Sequence, residues 1–162
     1  MKNKKKILVI MIPLLIIPLF VLCLSLNSFS KMTKQKDVCE KLLICLDESD
    51  SESLINMFSS YDLKNDSSIS ECVDELMTYL GGHIESIKEI DGGSEQKTFI
   101  KGKITRYSFS STIRDIVTDN GKKYKIVFGY TMINTDNPER IGINYITFVD
   151  DQHNQLIKIG WE

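Results

Sequence analysis

Residues 7–26, ILVIMIPLLIIPLFVLCLSL, form an uninterrupted stretch of twenty positions without a charge, preceded by MKNKKK with four lysines and no acid. As a helix such a run is about 30 Å long, enough to cross a bilayer. Lysines before it predict an N-terminus held on the cytoplasmic side and everything after it outside. Pro13 and Pro18 are compatible with this reading, because neighbouring groups in a membrane helix can re-satisfy the freed carbonyls. The chain therefore divides into a basic tail (1–6), a transmembrane anchor or uncleaved signal (7–26), a tether (27–33) and an extracytoplasmic domain (34–162). The membrane itself is the first expected partner.

Three fates of the apolar segment are open. Cys23 is a candidate lipidation site, but the large Val21 and Leu22 stand where small residues normally precede an acylated cysteine. Ser28 and Ser30 supply the small residues that secretory cleavage needs, yet the run exceeds the roughly 7–15 apolar residues of an ordinary signal core. Its length favours a retained signal-anchor, hence a single-pass protein of the cell membrane, with lipid-anchored and secreted forms as the alternatives.

The outer part is acidic. Of 20 basic and 22 acidic residues, four lysines lie in the first six positions, so the remainder carries a net −6. That balance excludes a lysine- and arginine-striped nucleic-acid binder. Its length suits one domain with one core. Cys39, Cys45 and Cys72 are an odd set. Cys39 and Cys45 lie about 9 Å apart along a helix and on different sides of it, poorly placed to join each other. The set reads either as buried reduced thiols or as one bridge from Cys72 to Cys39 or Cys45. With no CxxC and only His83 and His153, no metal site is expected.

Helices come first. KQKDVCEKLLICLDESD spaces Val38, Leu42, Cys45 and Leu46 for a helix over about 33–47. Asp50 or Ser51 caps a second helix, SESLINMFSS, followed by a polar DLKNDSS linker. ISECVDELMTYLGG makes a third, ended by Gly81-Gly82. The period then changes to two. IESIKEI predicts a strand running into DGGSEQ as a turn, and ITRYSFSSTIRDIV a second strand with unlike faces. TDNGKK predicts a tight hairpin through Asn120-Gly121 into KYKIVFGYTMI. NTDNPERIG connects to INYITFV, and DDQHN turns into QLIKIGW. The expected fold is α+β: about three helices on a curved antiparallel sheet of four to five strands.

YLGGHIESI, the VTDNGKKYKI hairpin and ERIGINYITF, following DESDSESLINMFS, resemble an uncharacterised Firmicute family of extracytoplasmic, often lipid-anchored proteins, the domain of unknown function 5104 family. The resemblance covers roughly residues 35–162. It implies a fold similar to nuclear transport factor 2, a cone whose sheet wraps against helices and can leave a pocket. It implies no established reaction, substrate or catalytic residues, and this chain departs from the lipoprotein pattern at Leu22.

On that fold Tyr107, Tyr130 and Tyr145 could donate hydrogen bonds to a ligand, with Phe109, Phe128 and Trp161 as apolar walls. The same aromatics serve equally as core, and filling of the space by Leu76, Met77 and Leu80 would favour that. No catalytic residue is assigned. His83 follows a helix end, His153 lies in a turn, and adjacent Asp150 and Asp151 would point to opposite sheet faces rather than act as a pair. No serine elbow, phosphate loop, HExxH or calcium loop is present. The leading expectation is a membrane-anchored extracytoplasmic binding or interaction domain. It would recognise a small amphipathic molecule or an envelope protein, without a cofactor. A structural or assembly component, including a sheet-mediated homodimer, is the alternative, and a pocket enzyme comes third.

Overall fold

The computed structural model describes residues 34–161. The chain divides into two compact units, Met1–Glu40 and Lys41–Glu162. In the first, the described residues are the opening turns of helix α1, residues 34–47. The rest of α1 and every other element belong to the second.

Along α1, Leu42, Cys45 and Leu46 are buried at the three- and four-residue spacing of a single helix stripe. Helix α2, Ser51–Asn56, is capped by Asp50, whose carboxylate accepts the Ser53 N–H at 2.9 Å. Hydrogen bonding from Ser53, its hydroxyl first and then its N–H, holds the Asp50 carboxyl below its ordinary pKa. The expected second helix, running to Ser60, stops early for a tertiary reason. Phe58 forms a parallel bridge with Ile143, the Ser59 N–H donates to the Ile143 carbonyl at 3.1 Å, and the Ile143 N–H donates to Met57 at 2.8 Å. Backbone groups that would extend the helix are spent on the sheet.

The DLKNDSS stretch, expected as a linker, is mostly helix α3, Ser60–Asn65. Ser59 Oγ accepts the Asp62 N–H at 3.0 Å and donates to the Asp62 carboxylate at 2.5 Å. This is a reciprocal serine–acid cap that satisfies an orphan donor of the first turn. Helix α4, Ile69–Leu80, buries Ile69, Val73, Leu76 and Leu80 and ends at Gly81 with φ +62°.

Strands β1 (Ile84–Ile100), β2 (Lys103–Thr118), β3 (Lys123–Asn134), β4 (Gly142–Asp150) and β5 (Gln155–Gly160) pair in chain order as one antiparallel sheet. A 3-10 turn at Pro138–Arg140 interrupts the β3–β4 connection. DGGSEQ is not a turn: β1 continues through it with a bulge between Gly92 and Glu95. A Cβ on Gly93 would collide with Ser110, and the Ser94 N–H donates to Ser110 Oγ at 3.1 Å. Glycine here allows close backbone approach at a bulge. The chain reverses ten residues later, at Lys101 and Gly102, both with positive φ, as two-residue hairpins require.

The predicted hairpin after β2 is present. Asn120 accepts from Thr118 Oγ1 at 2.7 Å, its amide donates to the Gly81 carbonyl at 2.9 Å, and Gly121 has φ +79°. Tyr124 OH donates to the Tyr79 carbonyl at 2.5 Å, tying β3 to the end of α4. Burial raises the Tyr124 phenol pKa. Ile113, Ile116, Ile126, Phe128, Ile146 and Phe148 are buried in the sheet, and Tyr124 stacks on Phe148 with centroids 4.6 Å apart.

The α+β architecture with a five-stranded antiparallel sheet holds, and the membrane helix attached to it is corrected. Among the described residues no helix is long and apolar enough to cross a membrane. α4, with twelve residues, is amphipathic, carrying Glu71, Asp74 and Glu75 opposite its apolar stripe. The segment 7–26 and Cys23 lie outside the described residues. The anchored topology, the cell-membrane address, the signal-anchor and lipoprotein readings and the membrane partner are therefore not carried forward. Cys39, Cys45 and Cys72 are not joined in a disulfide, and burial, then Asp50 and Glu48, push the Cys45 pKa up.

Candidate functional site

β2 alternates buried and more exposed residues, so Tyr107, Phe109, Ser111 and Ile113 turn inward while Arg106, Ser108, Ser110 and Thr112 are more exposed. The inward aromatics pack on one another. Ring centroids lie 6.4 Å apart for Tyr107 and Phe109, 6.2 Å in an edge-to-face contact for Phe109 and Phe128, and 5.7 Å for Phe109 and Tyr130. Tyr107 is 1 % exposed and Phe128 fully buried, as are Leu76 and, within 1 %, Leu80. Tyr107 and Phe128 are thus core residues, and the Lys97 ammonium, paired with Glu95, lies 4.8 Å from the centre of the Tyr107 ring.

The remaining candidates meet elsewhere. Phe109, Tyr130, Tyr145 and Trp161 line an open cleft of about 600 Å³, together with residues of α3, β1, β2, β3, β4 and the 3-10 turn. A β-bulge at Gly129 and Tyr130 breaks the β3–β4 register. A Cβ at Gly129 would strike the Tyr145 ring, so the missing side chain there lets that ring lie across β3. Thr131, 3 % exposed, donates to Asn144 Oδ1 at 2.9 Å, and the Trp161 N–H donates to the Asn144 carbonyl at 3.1 Å. These bonds hold the cleft wall where β3, β4 and the C-terminal residues meet. Burial raises the pKa of Tyr130, so its phenol stays protonated as a neutral donor.

Sequence reasoning passed over much of the lining: Asp62, Asn65 and Asp66 of the supposed linker, Arg106, and Arg140 in the β3–β4 connection. The signal for the first group was the Ser59–Asp62 cap spacing. No local signal marks the arginines. The Arg140 guanidinium carbon sits 4.0 Å from the centre of the Tyr61 ring, a cation–π stack.

A second groove carries Lys88, Arg114, Asp115, Asp150 and His153 among its lining. Several of its charges are paired: Lys88 with Asp115 at 3.2 Å and Arg114 with Asp91 at 2.6 Å. Asp150 accepts the Asn154 side-chain amide at 3.0 Å and the N–H groups of Gln152 and Asn154, which lowers its pKa. It shapes the β4–β5 turn. His83 Nδ1 lies 3.0 Å from the Asp47 carbonyl, and neither histidine lines the cleft. Among the described residues no group of three or more His, Cys, Asp or Glu is placed to hold a metal ion.

With this geometry in hand, the family model of the domain of unknown function DUF5104 matches residues 41–151, well over half the chain. The chain belongs to the DUF5104 family. No curated protein matches it. The match runs from α1 to the start of the β4–β5 turn, so it takes in the Ser59 cap, the β1 bulge and most of the cleft lining of this DUF5104 domain, while β5 and Trp161 lie beyond it.

Proposed function

We propose that this DUF5104 domain is a structural or assembly module that accepts an extended segment of another protein along strand β1. The observation that carries the reading is the exposure of that strand. β1 is a 17-residue edge whose last nine residues, 92–100, are all exposed, with Phe99 61 % and Ile100 50 % accessible at the hairpin tip. Among the described residues β1 has one strand neighbour, β2. A long edge presents a row of N–H and C=O groups that template strand addition. Pairing with β2 is regular from Ser86 to Gly92, leaving a straight window between two bulges.

The charges of that window disfavour a second copy of the chain. A two-fold antiparallel pairing centred on Lys88, Glu89 or Asp91 sets each against itself, one centred on Ile87 opposes Glu85 to Glu89, and one centred on Ile90 opposes Glu89 to Asp91. Like charges directly opposite are destabilising. A different strand is the better occupant, and the expected homodimer is not carried forward.

Selection of an extended-peptide library on the immobilised protein should return β-prone segments that protect amides of residues 86–92 from hydrogen exchange. Changing Ile90, 41 % exposed within that window, to lysine should weaken them about tenfold or more, since burying its side chain is worth about 1.5–3 kcal/mol. Protection confined to other elements, or binding indifferent to that change, would overturn the reading.

A second reading is favoured by the cleft: capture of a small polar molecule by Tyr130 and Tyr145 against Phe109 and Trp161. Trp161 is the chain's single tryptophan and so reports on the cleft directly. Small polar molecules screened by its fluorescence should include binders that Tyr130→Ala weakens about tenfold, as loss of a buried hydrogen bond and ring contact implies, with the circular dichroism spectrum unchanged. Equal binding by both forms would remove the assignment.

A further inference from the structure

The cleft holds both signs of charge from different elements. Asp62 and Asp66 come from α3 and its C-cap, Arg106 from β2, and Arg140 from the 3-10 turn. Each acid spends one oxygen on structure: Asp62 Oδ2 accepts from Ser59 Oγ, and Asp66 Oδ1 accepts the Ser68 N–H at 3.0 Å and its hydroxyl at 2.6 Å. Neither arginine makes an ion pair with an acid among the described residues. Stacking of Arg140 on Tyr61 orders its guanidinium plane and leaves the N–H edges free to donate.

A simple anion would meet two aspartates in this cleft, and a simple cation two arginines. A ligand carrying both charges finds a partner of opposite sign for each among the lining residues. We propose that the cleft binds a zwitterionic small molecule of the α-amino acid or short-peptide class. Arg106 receives the carboxylate, Asp66 the ammonium, and Tyr130 and Trp161 flank the side chain. This rests on the second reading above, that the cleft captures small polar molecules. The volume, about 600 Å³, lies within the range of small-molecule sites. Arginine suits a carboxylate because its planar fork donates two parallel N–H bonds.

The test titrates the full chain with L-phenylalanine, N-acetyl-L-phenylalanine and L-phenylalaninamide, followed by Trp161 fluorescence. The three share a ring but carry both charges, the negative alone and the positive alone. The free amino acid is expected to bind at least about tenfold tighter than either derivative, because a charged hydrogen bond is lost in each. Arg106→Ala should reduce it to the level of the amide. Asp66→Asn, which keeps the acceptor for Ser68, should reduce it to the level of the N-acetyl compound. Equal affinity for all three would overturn the zwitterion and leave the capture of small molecules standing. Tighter binding of the N-acetyl compound or of the amide would overturn it in favour of a site for one charge. Absence of any response in Trp161, with the thermal melt also unmoved by 10 mM amino acid, would overturn the zwitterion site.

Discussion

Gly142→Ala is expected to destabilise the domain by about 3 kcal/mol or more, lowering the melting temperature by about 10 °C. Gly142 opens β4 with φ +136°, a conformation that L side chains rarely adopt. A Cβ built there lies 2.6 Å from the Ser59 nitrogen, 2.8 Å from the Phe58 carbonyl carbon and 2.9 Å from the Met57 oxygen. All three are backbone atoms, so no side chain can swing aside. They belong to the segment that ends α2, bridges to Ile143 and caps α3, and relief of the overlap would pull that junction from the sheet. Thermal and urea unfolding monitored by circular dichroism measure the effect. A loss below about 1 kcal/mol would mean that the α2–α3 junction is not seated on β4 as described.

Phe128→Ala is expected to cost about 3–5 kcal/mol, as truncation of a fully buried aromatic does. Phe128 is 0 % exposed, meets Phe109 edge to face and sits in the middle of the central strand. Truncation removes the apolar burial and leaves a cavity among side chains that cannot fully collapse. Phe128→Leu, which keeps most of the volume, should cost less, about 1.5 kcal/mol. The pair separates core from ligand wall. A core residue loses stability in proportion to volume removed, whereas a pocket residue tolerates truncation. Retention of wild-type stability by the alanine variant would return Phe128 to the pocket. Tyr107, equally buried, belongs with it.

Periodicity made much of this fold legible. Val38, Leu42, Cys45 and Leu46 recur at helical spacing and lie in one helix, and the alternation from Tyr107 to Ile113 matches the buried positions of β2. Asn120-Gly121 marked a hairpin because only a few residues tolerate positive φ there. Gly92-Gly93 carried a similar local signal and misled, since close approach to Ser110, a feature of the partner strand, made it a bulge rather than a reversal. The polar run Asp62–Ser68 looked like a linker because it lacks an apolar stripe. Its helix depends on the Ser59 cap, and Ser59 is held by Ile143, 84 positions along the chain.

The aromatic set divides on the same principle. Hydrophobic type and strand parity could place Phe109, Phe128, Tyr107 and Tyr130 on one surface, but not say which part of it the helices would cover. Tyr107 and Phe128 are buried away from the cleft, Phe109 is buried at its wall, and Tyr130 is half-buried at a bulge and lines it. By itself the sequence determined the type of most elements, the acidic balance, the β2–β3 turn and the family, because these depend on local spacing and composition. Tertiary structure alone decided where α2 stops, which strand is left as a long open edge and which charges share a cleft. Those features depend on backbone groups and side chains brought together across some 40 to 86 residues of chain, where no local pattern records the encounter.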